Sequence, residues 1–151
     1  LILILYNITL KSMASENGNP IYKRVMIIDD TYVDRYVAER NIIKYGISES
    51  VISKESAKAA LEFLKSCESD PELLPQLIFL DIRMPEMDGF GFLEEYEKLP
   101  ETVKANCVVM MLSTSLNPED HEKVKGNKYV SRFLNKPLDK EKIDQLLEKS
   151  K

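Results

Sequence analysis

Leu77-Ile78-Phe79-Leu80, followed at once by Asp81, is the stretch that decides the fold. Four consecutive apolar residues without alternation describe a strand buried on both faces, the pattern of a parallel sheet covered by helices. The same kind of run lies upstream at Arg24-Val25-Met26-Ile27-Ile28, closed by Asp29-Asp30, and downstream at Cys107-Val108-Val109-Met110-Met111-Leu112, closed by Ser113. Val51-Ile52 marks a second, shorter strand, and Val130 to Leu134 a fifth that leads to Lys136.

Segments of helical period separate these runs, as crossover helices between parallel strands require. Val37, Ala38, Ile42 and Tyr45 share one face of the first, with Gly46 placed to end it. Ala57, Ala60, Leu61 and Leu64 line the second, which closes in a loop broken by Asp70-Pro71. Phe92, Leu93, Tyr96 and Leu99 line the third. Asn117-Pro118-Glu119-Asp120 starts the fourth with a side-chain cap, a first-position proline and carboxylates at the positive end of the dipole. That helix has Val124 nearly alone as an apolar residue, so it is expected to lie loosely and exposed, with His121 solvated. Ile143, Leu146 and Leu147 face inward on the last, which completes a (βα)5 α/β domain.

A chain of 151 residues has room for one compact domain and none for a separate output domain. It can bury roughly 68–70% of its unfolded surface, so the core needs neither disulfides nor a structural metal. Hydrophobic residues at 44% and charged residues at 30% exclude the disordered and collagen-like classes. Lys+Arg 21 against Asp+Glu 25 leave a net charge of -4, which argues against nucleic acid as the main partner. Cys67 and Cys107 lack metal-ligand spacing and read as packing residues of a cytoplasmic protein.

Residues 1–22 read as an N-terminal tail and residues 23–151 as the domain. Leu1-Ile2-Leu3-Ile4-Leu5-Tyr6 is apolar but lacks a basic flank and falls far short of the ~20 residues that span a bilayer, so no membrane role follows. The stretch before Met13 is expected to be non-native or flexible, the alternative being an extra strand or adhesive arm.

The polar residues that close the apolar runs fall at the carboxyl ends of the strands, where an open α/β sheet binds ligands. Three converging carboxylates, Asp29, Asp30 and Asp81, repel one another unless a divalent cation or raised pKa values relieve them. Hard oxygen ligands with open positions suit Mg2+, which binds through a few carboxylates plus a phosphate. Lys136 adds a mobile positive charge and Ser113 a hydroxyl donor, both suited to phosphoryl oxygens. An aspartate so placed can itself be the nucleophile and form an aspartyl phosphate. Singly, each of these residues is a turn, cap or surface residue. In this order, after successive buried strands, they describe a phosphoryl site.

Asp29-Asp30, then Asp81-Ile82-Arg83-Met84-Pro85-Glu86-Met87-Asp88-Gly89, then Ser113, then Phe133-Leu134-Asn135-Lys136-Pro137 resemble the receiver domain of bacterial two-component response regulators, in its single-domain, chemotaxis-type form. The resemblance runs from about Lys23 to the C-terminus. It implies a flavodoxin-like sheet of order 2-1-3-4-5. It also implies that Asp81 is the phosphoacceptor, supplied by a phosphohistidine on a sensor histidine kinase or histidine phosphotransfer protein. Asp30, Asp81 and the Arg83 carbonyl would hold Mg2+, with Asp29 acting mainly through water. Lys136 and Ser113 would bind the phosphoryl oxygens, Ser113 and Phe133 would form the switch, and the Lys136-Pro137 bond would be cis. Phe133 as plain core packing is the alternative for that position. Thr114 stands where the family has a small residue and narrows access; Arg83 and Ser115 flank the same opening and set how fast water enters.

Three functions follow. The first is a phosphorylation-switched signalling module, not an enzyme beyond slow self-dephosphorylation, acting as a monomer or weak dimer on an unidentified downstream protein through the face made by the helix from Pro118 to Lys125, the strand ending at Phe133 and the final helix. The second is an aspartyl-phosphate phosphotransferase or phosphatase, although such enzymes usually carry a general-acid carboxylate two positions after the nucleophile, where Arg83 stands. The third is a phosphorylation-independent receiver-like scaffold, which has no use for costly converging charge.

Overall fold

The computed structural model describes residues 18–148, and the expectations for residues 1–17 lie outside them. Five strands, β1 (Tyr22–Ile28), β2 (Ser48–Lys54), β3 (Leu77–Leu80), β4 (Val108–Ser113) and β5 (Val130–Asn135), form one parallel sheet in the order β2-β1-β3-β4-β5. Between and after them lie α1 (Tyr32–Lys44), α2 (Ala57–Ser66), α3 (Gly89–Glu97), α4 (Pro118–Lys125) and α5 (Lys140–Glu148). A single helical turn, Glu101–Lys104, follows α3, and a 3-10 turn at Pro71–Leu73 leads into β3. This is the flavodoxin-like (βα)5 fold.

The uninterrupted apolar strands serve two cores at once. Met26 and Ile28 of β1, Ile78 and Leu80 of β3, and Val109 and Met111 of β4 pack on one face, against α2 and α3. Their neighbours Val25, Ile27, Leu77, Phe79 and Leu112 pack on the other, with Ala38 and Ile42 of α1 and Ile143 of α5. Strand side chains alternate between faces, so only a continuous apolar run fills both. Leu146 packs on the second core as expected, whereas the side chain of Leu147 lies outside the described residues. Cys67 is buried, and the half-buried Cys107 donates its Sγ–H to the Pro75 carbonyl at 3.0 Å, so both thiols are free and packed.

Two expectations are corrected. Val51-Ile52 pointed to a short second strand, yet β2 has seven residues, as many as β1, and pairs from Tyr22↔Ser48 to Ile28↔Lys54. The polar residues of β2 hid its length, because an edge strand needs no second apolar face. His121 is not a solvated residue: it is half-buried, with its ring stacked on Phe133 at 4.0 Å between centroids and 29° between planes. It stands three positions before Val124, and that spacing turns it toward the same inner side of α4. The helix is otherwise as sparse as its sequence suggests, with Asp120 and Val124 its buried residues. Asn117 caps it by accepting the Glu119 N–H at 3.0 Å.

Candidate functional site

The register of the sheet gathers the polar residues. Ile28 pairs with Leu80 and Leu80 with Met111, so Asp29 and Asp81 leave the sheet side by side, with Ser113 on the next strand. The Asp81 N–H donates to the Ile28 carbonyl at 2.9 Å and the Lys136 N–H to the Ser113 carbonyl at 3.0 Å, which carries the ladder into the site. Asp29, Asp81 and Ser113 are buried, at 3%, 6% and 0% exposure, while Asp30 is exposed at the rim.

Lys136 is the countercharge. Its Nζ lies 2.6 Å from Asp29 Oδ2, 2.8 Å from Asp34 Oδ2 and 3.2 Å from Asp81 Oδ2. Burial alone would lower the lysine's pKa, but hydrogen bonds to Asp29 and Asp34 and the charges of Asp81 and Asp29 outweigh it and hold the ammonium well above its ordinary value. Burial pushes the Asp81 carboxyl above its usual range. The Lys136 charge pulls it back, the Asp29 charge pushes further, and the hydrogen bonds from Lys136 and from the Ile82 N–H favour the ionised form. The Lys136-Pro137 peptide is cis.

Asp29, Asp30 and Asp81 each offer one carboxylate oxygen, and these oxygens lie within 4.8 Å of one another. The donors are hard, anionic and partly open to solvent through Asp30, a set that fits Mg2+ with several retained waters. Asp29 is already engaged, because its Oδ1 accepts the Thr31 N–H at 2.9 Å and its Oδ2 faces Lys136. Asp81 is engaged in the same way, its Oδ1 by the Ile82 N–H at 2.8 Å and its Oδ2 by Lys136 at 3.2 Å.

The loop from Asp81 to Gly89 is held close to the site. The Gly89 N–H donates to the Ile82 carbonyl at 2.8 Å, and a Cβ at Gly89 would collide with the Asp81 carbonyl, so only glycine lets α3 start there. Glu86 closes the intervening turn at φ +68°, with the Met87 N–H donating to the Pro85 carbonyl at 2.8 Å. Asp88 caps α3 by accepting the Gly91 N–H at 2.8 Å.

The opening is flanked unequally. Thr114 is exposed and lines a shallow cavity with Asp34, Lys136 and Leu138, on the α1 side. Arg83 and Ser115 lie on the α4 side and meet at one buried atom, Asp120 Oδ2, which accepts from Arg83 Nη2 at 2.6 Å and from Ser115 Oγ at 2.5 Å. The Ser115 N–H donates to Ser113 Oγ at 3.2 Å, and the Ser115 carbonyl lies 3.2 Å from His121 Nε2. Phe133 packs at the margin of the core under the His121 ring.

The sequence profile of the response regulator receiver domain matches residues 25–148. The chain belongs to the response regulator receiver domain family. As a receiver domain it is 28% identical over 127 residues to the probable methanogenesis regulatory protein FilR2 of Methanothrix harundinacea, covering 84% of this chain and 80% of that one. It spans only 53% of the rice two-component response regulator ORR1, to which it is 30% identical. A two-component response regulator structure from Cytophaga hutchinsonii superposes with a TM-score of 0.77 at 26% identity, over 85% of this chain and 96% of that one. The receiver domain of the Arabidopsis thaliana histidine kinase CKI1, in a structure complexed with Mg2+ and BeF3-, superposes at 0.68 with 25% identity, over 84% and 90%.

Asp29, Asp30, Asp81, Arg83, Ser113, Thr114, Ser115 and Lys136 lie at this one sheet edge, whereas Phe133 lies within β5, at the margin of the core beneath His121. Three further residues were not expected there. Asp34 lies in the first turn of α1, and nothing in its local sequence pairs it with Lys136, which only the fold brings beside it. Asp120 and His121 stand four and three positions before Val124, which places both on the inner side of α4. From the sequence, the first reads only as a dipole partner and the second as a surface residue. Among the described residues, no helix is long and apolar enough to cross a membrane.

Proposed function

We propose that this receiver domain is a phosphorylation-switched signalling module that takes a phosphoryl group onto Asp81 from a phosphohistidine of a sensor histidine kinase or histidine phosphotransfer protein. The observation that carries the reading is the convergence of Asp29, Asp30 and Asp81 with the buried Lys136 ammonium and the Ser113 hydroxyl at one sheet edge. An Asp81 oxygen attacks phosphorus, the P–O bond forms as the P–N bond to the donor histidine breaks, and the nitrogen keeps the electron pair. Asp30, Asp81 and the Arg83 carbonyl would hold Mg2+ directly and Asp29 through water. Bound there, Mg2+ would neutralise charge on the carboxylates and on the transferring phosphoryl oxygens.

Lys136 turns from Asp34 and Asp29 toward the phosphoryl oxygens, and Ser113 donates its hydroxyl to another. The movement of Ser113 takes the Ser115 N–H with it, and through Ser115 it reaches both Asp120 and His121, so α4 and Phe133 respond together. Downstream proteins read the face formed by α4, β5 and α5. The domain catalyses nothing beyond slow loss of its own phosphate. Arg83 in place of a second carboxylate disfavours the phosphatase reading, and the intact charge set disfavours the scaffold.

Incubation with acetyl phosphate and Mg2+ followed by intact mass measurement tests the proposal. One added phosphoryl mass is expected for the natural chain and none for Asp81→Asn. Labelling that survives the substitution would move the acceptor elsewhere.

A further inference from the structure

We infer that Asp120 is a positioning residue that clasps Arg83 and Ser115 across the α4 side of the opening and thereby prolongs the life of the Asp81 acyl phosphate. The inference rests on the phosphoacceptor reading above and deepens it.

The carboxylate of Asp120 is in an expensive place. It is 3% exposed, and a buried charge costs several kcal/mol unless it is paired and hydrogen-bonded. The helix does not need it: Asn117 already caps the first turn, and Glu119 already places a carboxylate at the positive end of the dipole. What Asp120 does is hold two side chains at one oxygen, the Arg83 guanidinium at 2.6 Å and the Ser115 hydroxyl at 2.5 Å.

Those two residues are not arbitrary. Arg83 lies two positions after Asp81, and Ser115 two positions after Ser113. Because β3 and β4 are neighbours, joining the two side chains at Asp120 closes a ring from one strand end to the next, over the gap between Asp81 and Ser113. On the α1 side of the same gap, Lys136, Asp34 and Thr114 line a cavity. A hydrolysing water must reach phosphorus from the outer side, opposite the Asp81 oxygen. The new P–O bond then forms as the bond to Asp81 breaks, the carboxylate leaves with the electron pair, and the water proton passes to phosphate or solvent. The clasp stands beside that path. The Arg83 side chain is 61% exposed and long, so without Asp120 nothing else in the described contacts pins its charged end there.

The test is phosphoryl lifetime. The full chain is labelled with acetyl phosphate and Mg2+, the donor is removed by rapid desalting, and loss of the phosphoryl mass is followed with time for the natural chain, Asp120→Asn, Arg83→Ala and the double variant. Each single substitution is expected to shorten the half-life about fivefold, and the double variant no further, because both break one shared contact. Melting midpoints and initial labelling rates measured in parallel separate this from general damage, and Arg83→Ala reads the same clasp from its exposed end if Asp120→Asn folds poorly. Labelled Asp120→Asn that decays at the natural rate, or single effects that multiply in the double variant, would overturn the clasp while leaving Asp81 as acceptor. A natural chain that takes no label would overturn the acceptor reading, and the clasp with it.

Discussion

The two flanks of the carboxylate edge hold their charges in different ways. On the α1 side, Lys136 is buried with Asp29 and Asp81, and the helices over it, α1 and α5, are anchored by Ala38, Ile42 and Ile143. On the α4 side, one end of the ion pair is open to solvent, and the helix that carries the other has a single buried apolar residue, Val124. The first flank is a fixed countercharge in a packed wall. The second is a set of polar bonds among Ser113, Ser115, Asp120 and His121, which can be exchanged for others without emptying a core. On the proposed function, a signal that enters at Asp81 would therefore leave more easily through α4 than through α1.

Removing the cation from each flank exposes the difference most strongly. Lys136→Met leaves buried carboxylates without their partner and is expected to cost about 3 kcal/mol in urea unfolding. Arg83→Met takes the exposed partner from a buried carboxylate that keeps its Ser115 hydrogen bond, and is expected to cost less, about 1–2 kcal/mol. Equal costs would mean that the α4 flank is as rigid as the other. Added Mg2+ should recover part of the loss in Lys136→Met, since it replaces one positive charge by another at the same carboxylates.

Mg2+ itself sharpens the comparison, because the carboxylates proposed to hold it converge on the Lys136 flank. At ten times its dissociation constant it should stabilise the natural chain by about 1.4 kcal/mol, and Asp30→Ala should lose that gain in thermal melts. An equal gain in the variant would place the ion elsewhere.

The smallest effect concerns Asp81 and pH. Its carboxyl is held above the usual range chiefly by burial, so the folded chain binds that proton more readily than the unfolded chain. Stability contributed by this group therefore falls as pH rises from the ordinary carboxylate value through the raised one. Without Mg2+, Asp81→Asn should melt slightly higher than the natural chain at pH 7, and the difference should vanish below about pH 4. A variant that melts lower at pH 7 would show that the Lys136 contact outweighs burial.

The two flanks were also unequally legible in the sequence. Strand runs such as Leu77 to Leu80 and the residues that end them, Asp29, Asp81, Ser113 and Lys136, could be read because buried parallel strands are continuous and their carboxyl ends share one edge. The length of β2 could not, since an edge strand mixes Ser, Glu and Lys with Val and Ile. Asp120 and His121 are hidden for a related reason: polar residues read as outward-facing, although α4 is so poor in apolar residues that its inner side has to be polar. Asp34 was missed because Lys136 is distant in sequence and only the fold brings them together.

The most direct test of the account is hydrogen exchange with and without beryllium fluoride and Mg2+. Changes are expected to concentrate from Ser113 to Phe133, across α4 and into β5, with α2 from Ala57 to Leu64 unchanged. Uniform protection of the whole domain, or changes confined to the loops at Asp29 and Asp81, would contradict it.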